Sequence, residues 1–255
     1  MQKKIWLWAL ILAAIVTVGN IAWAQSDFYV IAGGGPPVGT KITSLPDAGL
    51  TISSPGFYFL AGNLNYKGTG NAITIGADDV TLDLMGFTMI GPGGNSGVNG
   101  IYMNGHNNVE VRNGTVRGFS TGVLEDSISG TGSKDRSINV RAYHNNSGII
   151  LLDNNNLIRD CSASNNNNTG LYVGSGLIVD SEANNNGLAG IALDGPGSVL
   201  GNTACNNGSY NFYLGTGVAT SILADRNSAY GLSPNYFIYL KTSGVVITAN
   251  NSGTP

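Results

Sequence analysis

The chain has 255 residues, 42% hydrophobic and only 11% charged, with 38 glycines, two cysteines, two histidines and a formal net charge of −3. So mildly acidic a balance disfavours a nucleic-acid partner, which asks for a basic face against phosphate. Low charge with many turn formers is also a composition of disorder, but the regular spacing of the apolar residues argues against it.

At the start of the chain, Lys3 and Lys4 precede an apolar run from Ile5 to Val18, and Ala22-Trp23-Ala24 supplies small residues at the cleavage positions. This predicts a signal peptide over residues 1–24. Export would carry the protein to the periplasm, the cell surface or the medium, with no membrane segment left after cleavage. Its removal takes two of the 12 basic residues and no acid, shifting the net charge to −5, and takes all three tryptophans. Residues 25–45, with Gly33 to Gly35 and Pro36-Pro37, are expected to form an extension that covers the open N-terminal end of a repeat region.

Residues 46–255 repeat. A small residue followed by an alternating apolar pair recurs at Ala72-Ile73-Thr74-Ile75, Gly100-Ile101-Tyr102-Met103, Gly122-Val123, Gly148-Ile149-Ile150-Leu151, Gly170-Leu171-Tyr172-Val173, Gly190-Ile191-Ala192-Leu193, Asn211-Phe212-Tyr213-Leu214 and Phe237-Ile238-Tyr239-Leu240. Counted from Ile73 to Ile238, the steps run between 20 and 28 residues, the length of a solenoid coil. A second short strand follows most markers, as in Val80-Thr81-Leu82, Val109-Glu110-Val111, Ile138-Asn139-Val140, Leu157-Ile158 and Leu177-Ile178. Asn113, Asp160, Asp180, Asn202 and Asp225 come after these strands, and the runs Asn145-Asn146, Asn165 to Asn168, Asn184 to Asn186 and Asn206-Asn207 come later. Asn tolerates the left-handed backbone of a sharp corner, and stacked amides can bond from coil to coil. Leucines at fixed inner positions and an outer helix, as in a leucine-rich repeat, are missing. The fold expected is all-β: one right-handed parallel β-helix of about eight to ten coils.

The run Ile42-Thr43-Ser44-Leu45-Pro46, Ser54 to Leu60, Asp79-Val80-Thr81-Leu82-Asp83-Leu84 and Gly86-Phe87-Thr88 resembles bacterial secreted right-handed parallel β-helix repeat proteins, the group that includes pectate-lyase-like folds. The resemblance covers roughly Lys41 to Asn251. It implies the fold, while the fold hosts lyases, hydrolases, isomerases, adhesins and spikes, so no catalytic residue carries over.

Function is sought in columns up the outside, where equivalent residues stand one strand spacing apart, ~4.8 Å. The residue after each marker reads Thr74, Tyr102, Leu124, Ile150, Tyr172, Ala192, Tyr213, Tyr239. That stripe reads either as a docking surface for a glycan or a second protomer, with Tyr102, Tyr172 and Tyr213 as contacts, or as ordinary strand packing. A second column is expected at Asp83, Arg112, Arg141 and Arg159, beside Glu110. It is either a site for acidic polysaccharide, given the fit of Arg forks to carboxylates, or a face compensated by its own acids.

Two loops lengthen the coils, Gly91 to Asn99 and Asp126 to Ser137. Glu125, Asp126 and Asp135 border the second, and Glu125 occupies a position that is apolar in the other coils. Were the protein an enzyme, a glycoside hydrolase or polysaccharide lyase, these three would supply the carboxyls, with calcium as a lyase's cofactor. Otherwise they decorate a surface loop. No cofactor is expected of a non-enzyme. Cys161 and Cys205 fall in different slots two coils apart, ~9.6 Å, so two unpaired thiols are expected. His106 and His144 read as turn residues, since they form no metal-spaced set. Strand patterning runs almost to Pro255, which leaves self-association through the last coil open. A non-catalytic glycan-binding or surface module ranks first, because columns are present and acid–base constellations are not; a polysaccharide lyase or glycosidase ranks second.

Overall fold

A computed structural model describes residues 39–126, 134–216, 221–231, 235–240 and 245–252. The segments assigned to a signal peptide and to most of the cap lie outside these residues. Every regular element among them is a strand, and all pairings are parallel. The chain winds as a right-handed parallel β-helix with three faces per coil. Pairing starts at Thr40–Ile42 on Tyr58–Leu60, inside the segment assigned to the cap.

The first face is a nine-stranded sheet: Leu50–Ile52, Ile73–Ile75, Ile101–Tyr102, Thr121–Glu125, Ser147–Leu151, Leu171–Val173, Ala189–Leu193, Tyr210–Thr216 and Tyr236–Leu240. Nine rungs agree with the expected number of coils. The markers are in register throughout, with an additional rung at Leu50 and one correction at the end. Phe212 pairs with Tyr236, so Phe237, not Tyr239, is in register with Tyr213. A shift of two residues keeps each side chain on its face, so the period-two pattern could not reveal it.

The second and third faces belong to one larger sheet. In two coils they merge into single eight-residue strands, Glu110–Arg117 and Arg136–Tyr143, and elsewhere they are separate, as in Asn156–Arg159 and Ser162–Ser164. A left-handed residue turns the corner between the two faces at Asn113, Asn139, Asp160, Asp180, Gly201, Arg226 and Asn250, all with φ between 48° and 67°. Another turns the corner after the third face at Gly118, His144, Asn165, Asn185 and Asn206. His144 is therefore a corner residue, as expected.

Inward-pointing residues stack by kind. Leu82, Val111, Ile158, Ile178 and Val199 fill the second face, and Met89, Val116, Ala142, Ala163, Ala183 and Ala204 the third, all buried. The alanines make room for an amide ladder at the neighbouring corner. Asn145 N–H donates to Asn166 Oδ1 (3.0 Å), Asn166 N–H to Asn186 Oδ1 (3.2 Å), and Asn186 N–H to Asn207 Oδ1 (2.9 Å). Each Nδ2 donates to a third-face carbonyl, as Asn186 does to Ala163 (3.1 Å), so buried donors and acceptors are closed along the axis. The marker glycines adjoin this ladder: a Cβ at Gly170 would lie 2.6 Å from Asn186 Nδ2 and 2.8 Å from the Gly190 carbonyl.

Candidate functional site

The basic column divides in the structure. Asp83 pairs in register with Arg112, but Arg112 lies opposite Ile138, and Ile138 opposite Arg159. Arg141 stands on the third face, between Thr115 and Ser162. The expected column is corrected because Ile138-Asn139-Val140 looks like strand alternation while Asn139, at φ 53°, is a corner stacked on Asn113. The strand alignment therefore slips by three residues.

Charges on the second face neutralise one another. Arg112 holds Asp83 at 2.8 Å and Glu110 at 3.0 Å, with its guanidinium 5.6 Å from the Phe57 ring centroid, and Arg136 reaches Glu110 at 3.1 Å. Arg159 pairs locally with Asp160 at 3.3 Å. Of the three arginines expected in the column, only Arg141 has no ion pair among the described residues; its Nε donates to Thr115 Oγ1 at 3.0 Å.

Glu125 and Asp135 do converge, in the interior. Both are fully buried, and Asp153, which the sequence did not single out, is buried beside them at 4% exposure. Glu125 takes the inward position filled by Ile75, Leu151 and Val173 in other coils. Its Oε2 accepts from Asp153 N–H (3.2 Å) and from Asn156 Nδ2 (2.5 Å). Asp135 continues the column of Val109 and Asn156, accepting from Val109 N–H (2.7 Å) and donating its own N–H to Asn156 Oδ1 (2.9 Å). Three buried acceptor oxygens are left with no donor: Glu125 Oε1, Asp135 Oδ2 and Asp153 Oδ2.

Two carboxylates cannot satisfy each other, but a carboxylic acid can donate to a carboxylate. Burial raises both Glu125 and Asp135, and the charge of Glu125 raises Asp135 further, so the pair favours holding one proton between them. Burial is the main cause that pushes Asp135 up to about 8; the Val109 N–H opposes it, and the Glu125 and Asp153 charges add to it. Burial likewise raises Glu125. Among the described residues no group of three or more His, Cys, Asp or Glu is arranged to hold a metal ion. Asp126 stands apart from the pair, half-buried, and its charge helps to raise the Tyr102 hydroxyl after burial has done most of the work.

The tyrosine stripe is present as a column. Thr51, Thr74, Tyr102, Leu124, Ile150, Tyr172, Ala192 and Tyr213 face outward in consecutive rungs of the first face. Tyr102, Leu124, Ile150, Tyr172 and Tyr213 are half-buried, and Ala192, between two tyrosines, is 3% exposed. Two carboxylates lie along the edge: Tyr172 Oη donates to Asp194 at 3.3 Å, and Asp126 lies near Tyr102. Burial, then Asp194, pushes Tyr172 up to about 12. Cys161 and Cys205 are unpaired, one buried and one half-buried.

No family model matches the sequence, and no curated protein does. Among solved structures the chain is similar to the A-module of mannuronan C-5 epimerase AlgE6 from Azotobacter vinelandii, with a TM-score of 0.48 and 16% identity over 90% of this chain and 93% of that one. It is similar to pectate lyase Pel9A, with 0.47 and 15% over 90% and 73%, and to the A-module of the A. vinelandii epimerase AlgE4, with 0.46 and 14% over 85% of each. The class that the fold itself defines is a parallel β-helix with an apolar core and amide ladders at its corners. Nothing that those enzymes do carries over to this chain.

Proposed function

We propose that this protein is an exported, non-catalytic β-helix that binds a polysaccharide along its first face. The observation that carries the reading is the tyrosine stripe with its flanking acids. A column of Tyr102, Leu124, Ile150, Tyr172, Ala192 and Tyr213 offers flat apolar area along the axis, and Asp126 and Asp194 offer acceptors at its edge. Sugar rings present apolar C–H faces and hydroxyl rims, so aromatic area edged by carboxylates matches a glycan of neutral residues. Export follows from the leader-like residues 1–24 and belongs to the same proposal.

The enzyme reading needs carboxyl oxygens that reach a substrate, and Glu125 and Asp135 are sealed from it. The test is a titration of the mature chain with soluble neutral polysaccharides (xyloglucan, mannan, a mixed-linkage glucan), with reducing ends and unsaturated uronate followed in parallel. Binding of at least one, weakened about tenfold by Tyr172→Ala and without product, is expected; roughly 1–1.5 kcal/mol is the scale of one aromatic contact. Product formation that Glu125→Gln abolishes would reverse the ranking.

A further inference from the structure

Among the described residues, the third face carries the two arginines that no acid pairs. Four of the six arginines stand in ion pairs with Asp83, Glu110, Asp160 or Asp225. Arg117 and Arg141 stand in none, and they are neighbours. In register, Arg141 lies opposite Thr115 and Tyr143 opposite Arg117, so the two guanidinium groups project from adjacent coils of one face. From the strand spacing and a two-residue offset their Cα atoms are about 8 Å apart.

Aromatic and hydroxyl groups surround them. The Arg117 guanidinium lies 5.9 Å from the Tyr143 ring centroid, and the exposed His144 ring packs edge-on against Tyr143 at 5.2 Å. Ser162 and Ser164 follow in the next coil. The Thr115 hydroxyl uses only the Nε of Arg141, so the terminal nitrogens of its fork remain to meet a ligand. The outer positions of this face read Thr88, Ile90, Thr115, Arg117, Arg141, Tyr143, Ser162, Ser164, Glu182 and Asn184; the one acid is two coils beyond Arg141, ~9.6 Å away. The Gly91 to Asn99 loop is pinned beside the site: Gly91 N–H donates to the Arg117 carbonyl (2.8 Å) and Gly93 N–H to the Gly118 carbonyl (2.7 Å).

We propose that Arg117, Arg141 and Tyr143 form a second binding site, for the anionic group of an acidic polysaccharide. This rests on reading the protein as a glycan binder, and it assigns the acidic ligand to a different face from the neutral one. The two terminal nitrogens of Arg141 take two oxygens of the carboxylate or sulfate in a bidentate grip. Arg117 supplies the second charge, and the free part of the Tyr143 ring supports the sugar. The first face, edged by Asp126 and Asp194, repels such a chain. Two sites on two faces let one molecule hold a neutral and an acidic glycan together.

The test is calorimetric titration of the mature chain with polygalacturonate and dextran sulfate, each against its uncharged counterpart, fully methyl-esterified polygalacturonate and dextran, at low and high salt. Expected are binding of at least one charged polymer, at least tenfold weaker binding of its uncharged form, and weakening by salt. Arg117→Gln/Arg141→Gln should lose at least tenfold toward the charged polymer with an unchanged thermal midpoint, whereas Tyr172→Ala stays within twofold. The site is refuted if the double variant binds the charged polymer within twofold of the parent, if charge makes no difference, or if neither charged polymer binds. Neutral glycans separate the two readings: if none binds while the arginine-dependent interaction persists, this site stands and the tyrosine face falls.

Discussion

Two polar sites lie inside the same solenoid, and only one can close its own hydrogen bonds at every pH. The asparagine ladder at the corner after the third face has donors and acceptors on each rung: Asn186 accepts from Asn166 through both N–H and Nδ2 and donates to Ala163 and Asn207. The cluster at the other end of the coil has acceptors in excess, with three buried carboxyl oxygens and no donor to match them. An amide carries its own hydrogens; a carboxyl must borrow one from solvent. The ladder is thus a structural device, and the cluster is a structural device with a pH attached.

The largest expected effect is on the ladder. Asn186→Ala removes four buried hydrogen bonds and leaves the Asn166 N–H without its acceptor, which costs roughly 3 kcal/mol or more. Gly170→Ala attacks the same rung from outside, because its Cβ would lie 2.6 Å from Asn186 Nδ2; overpacking of this kind costs about 1–3 kcal/mol. Urea unfolding midpoints measure both. If the two variants unfold like the parent, the ladder is not what holds these coils.

The cluster should respond to pH in the opposite sense from an ordinary ion pair. Asp135 is raised from 3.8 to about 8, so between those values the folded protein keeps a proton that the unfolded chain gives up. The stabilisation is complete below about pH 4 and is lost as pH rises through 8, by at most ~1.4 kcal/mol per pH unit for one proton. Asp135→Asn supplies a permanent donor in place of the proton: its Oδ1 can keep the Val109 N–H and its Nδ2 can face Glu125 Oε1. This variant should match the parent near pH 5 and exceed it at pH 9 by roughly 1–3 kcal/mol. Thermal midpoints at pH 5, 7 and 9 decide it, and a parent curve that is flat across that range would remove the proton from the account.

The coils were legible in the sequence because each rung repeats the same inward and outward choices, so Ile101, Val123, Ile149 and Leu171 could be aligned without a structure. The asparagine runs announced corners and ladders for the same reason: Asn145, Asn166, Asn186 and Asn207 recur at nearly the period of the markers. Arg141 was misplaced because Ile138-Asn139-Val140 satisfies the alternation of a strand, and only the equivalence of Asn139 with Asn113, Asp160 and Asp180 as corners corrects it. Glu125 stood out as a polar residue in an apolar column, but its partners lie 10 and 28 positions away in loops of unequal length, so Asp153 left no periodic signal. The third-face site had half a signal: Arg141 was visible as a basic residue, while Arg117 and Tyr143 could be joined to it only after the register was known.

The smallest effect tests whether the second corner follows the logic of the first. Its inward column runs Val140, Cys161, Ser181, Asn202, Asn227 and Asn251, and each backbone N–H donates to the next side chain: Val140 to Cys161 Sγ (3.4 Å), Cys161 to Ser181 Oγ (3.1 Å), Ser181 to Asn202 Oδ1 (2.9 Å). The thiol and the hydroxyl therefore do the work of an amide, and the Cys161 and Ser181 side chains also donate to equivalent carbonyls, Arg159 and Val179. Cys161→Ser should change stability by less than about 1 kcal/mol, because the hydroxyl keeps both bonds, whereas Cys161→Val should cost about 1–2 kcal/mol by leaving the Val140 N–H without an acceptor. Burial holds the Cys161 thiol up at about 11, so a thiol reagent at pH 8 should label the half-buried Cys205 in the folded protein and Cys161 only on unfolding. Rapid labelling of both thiols, or a valine variant as stable as the serine one, would mean that this corner is held by apolar packing and that its hydrogen bonds are incidental.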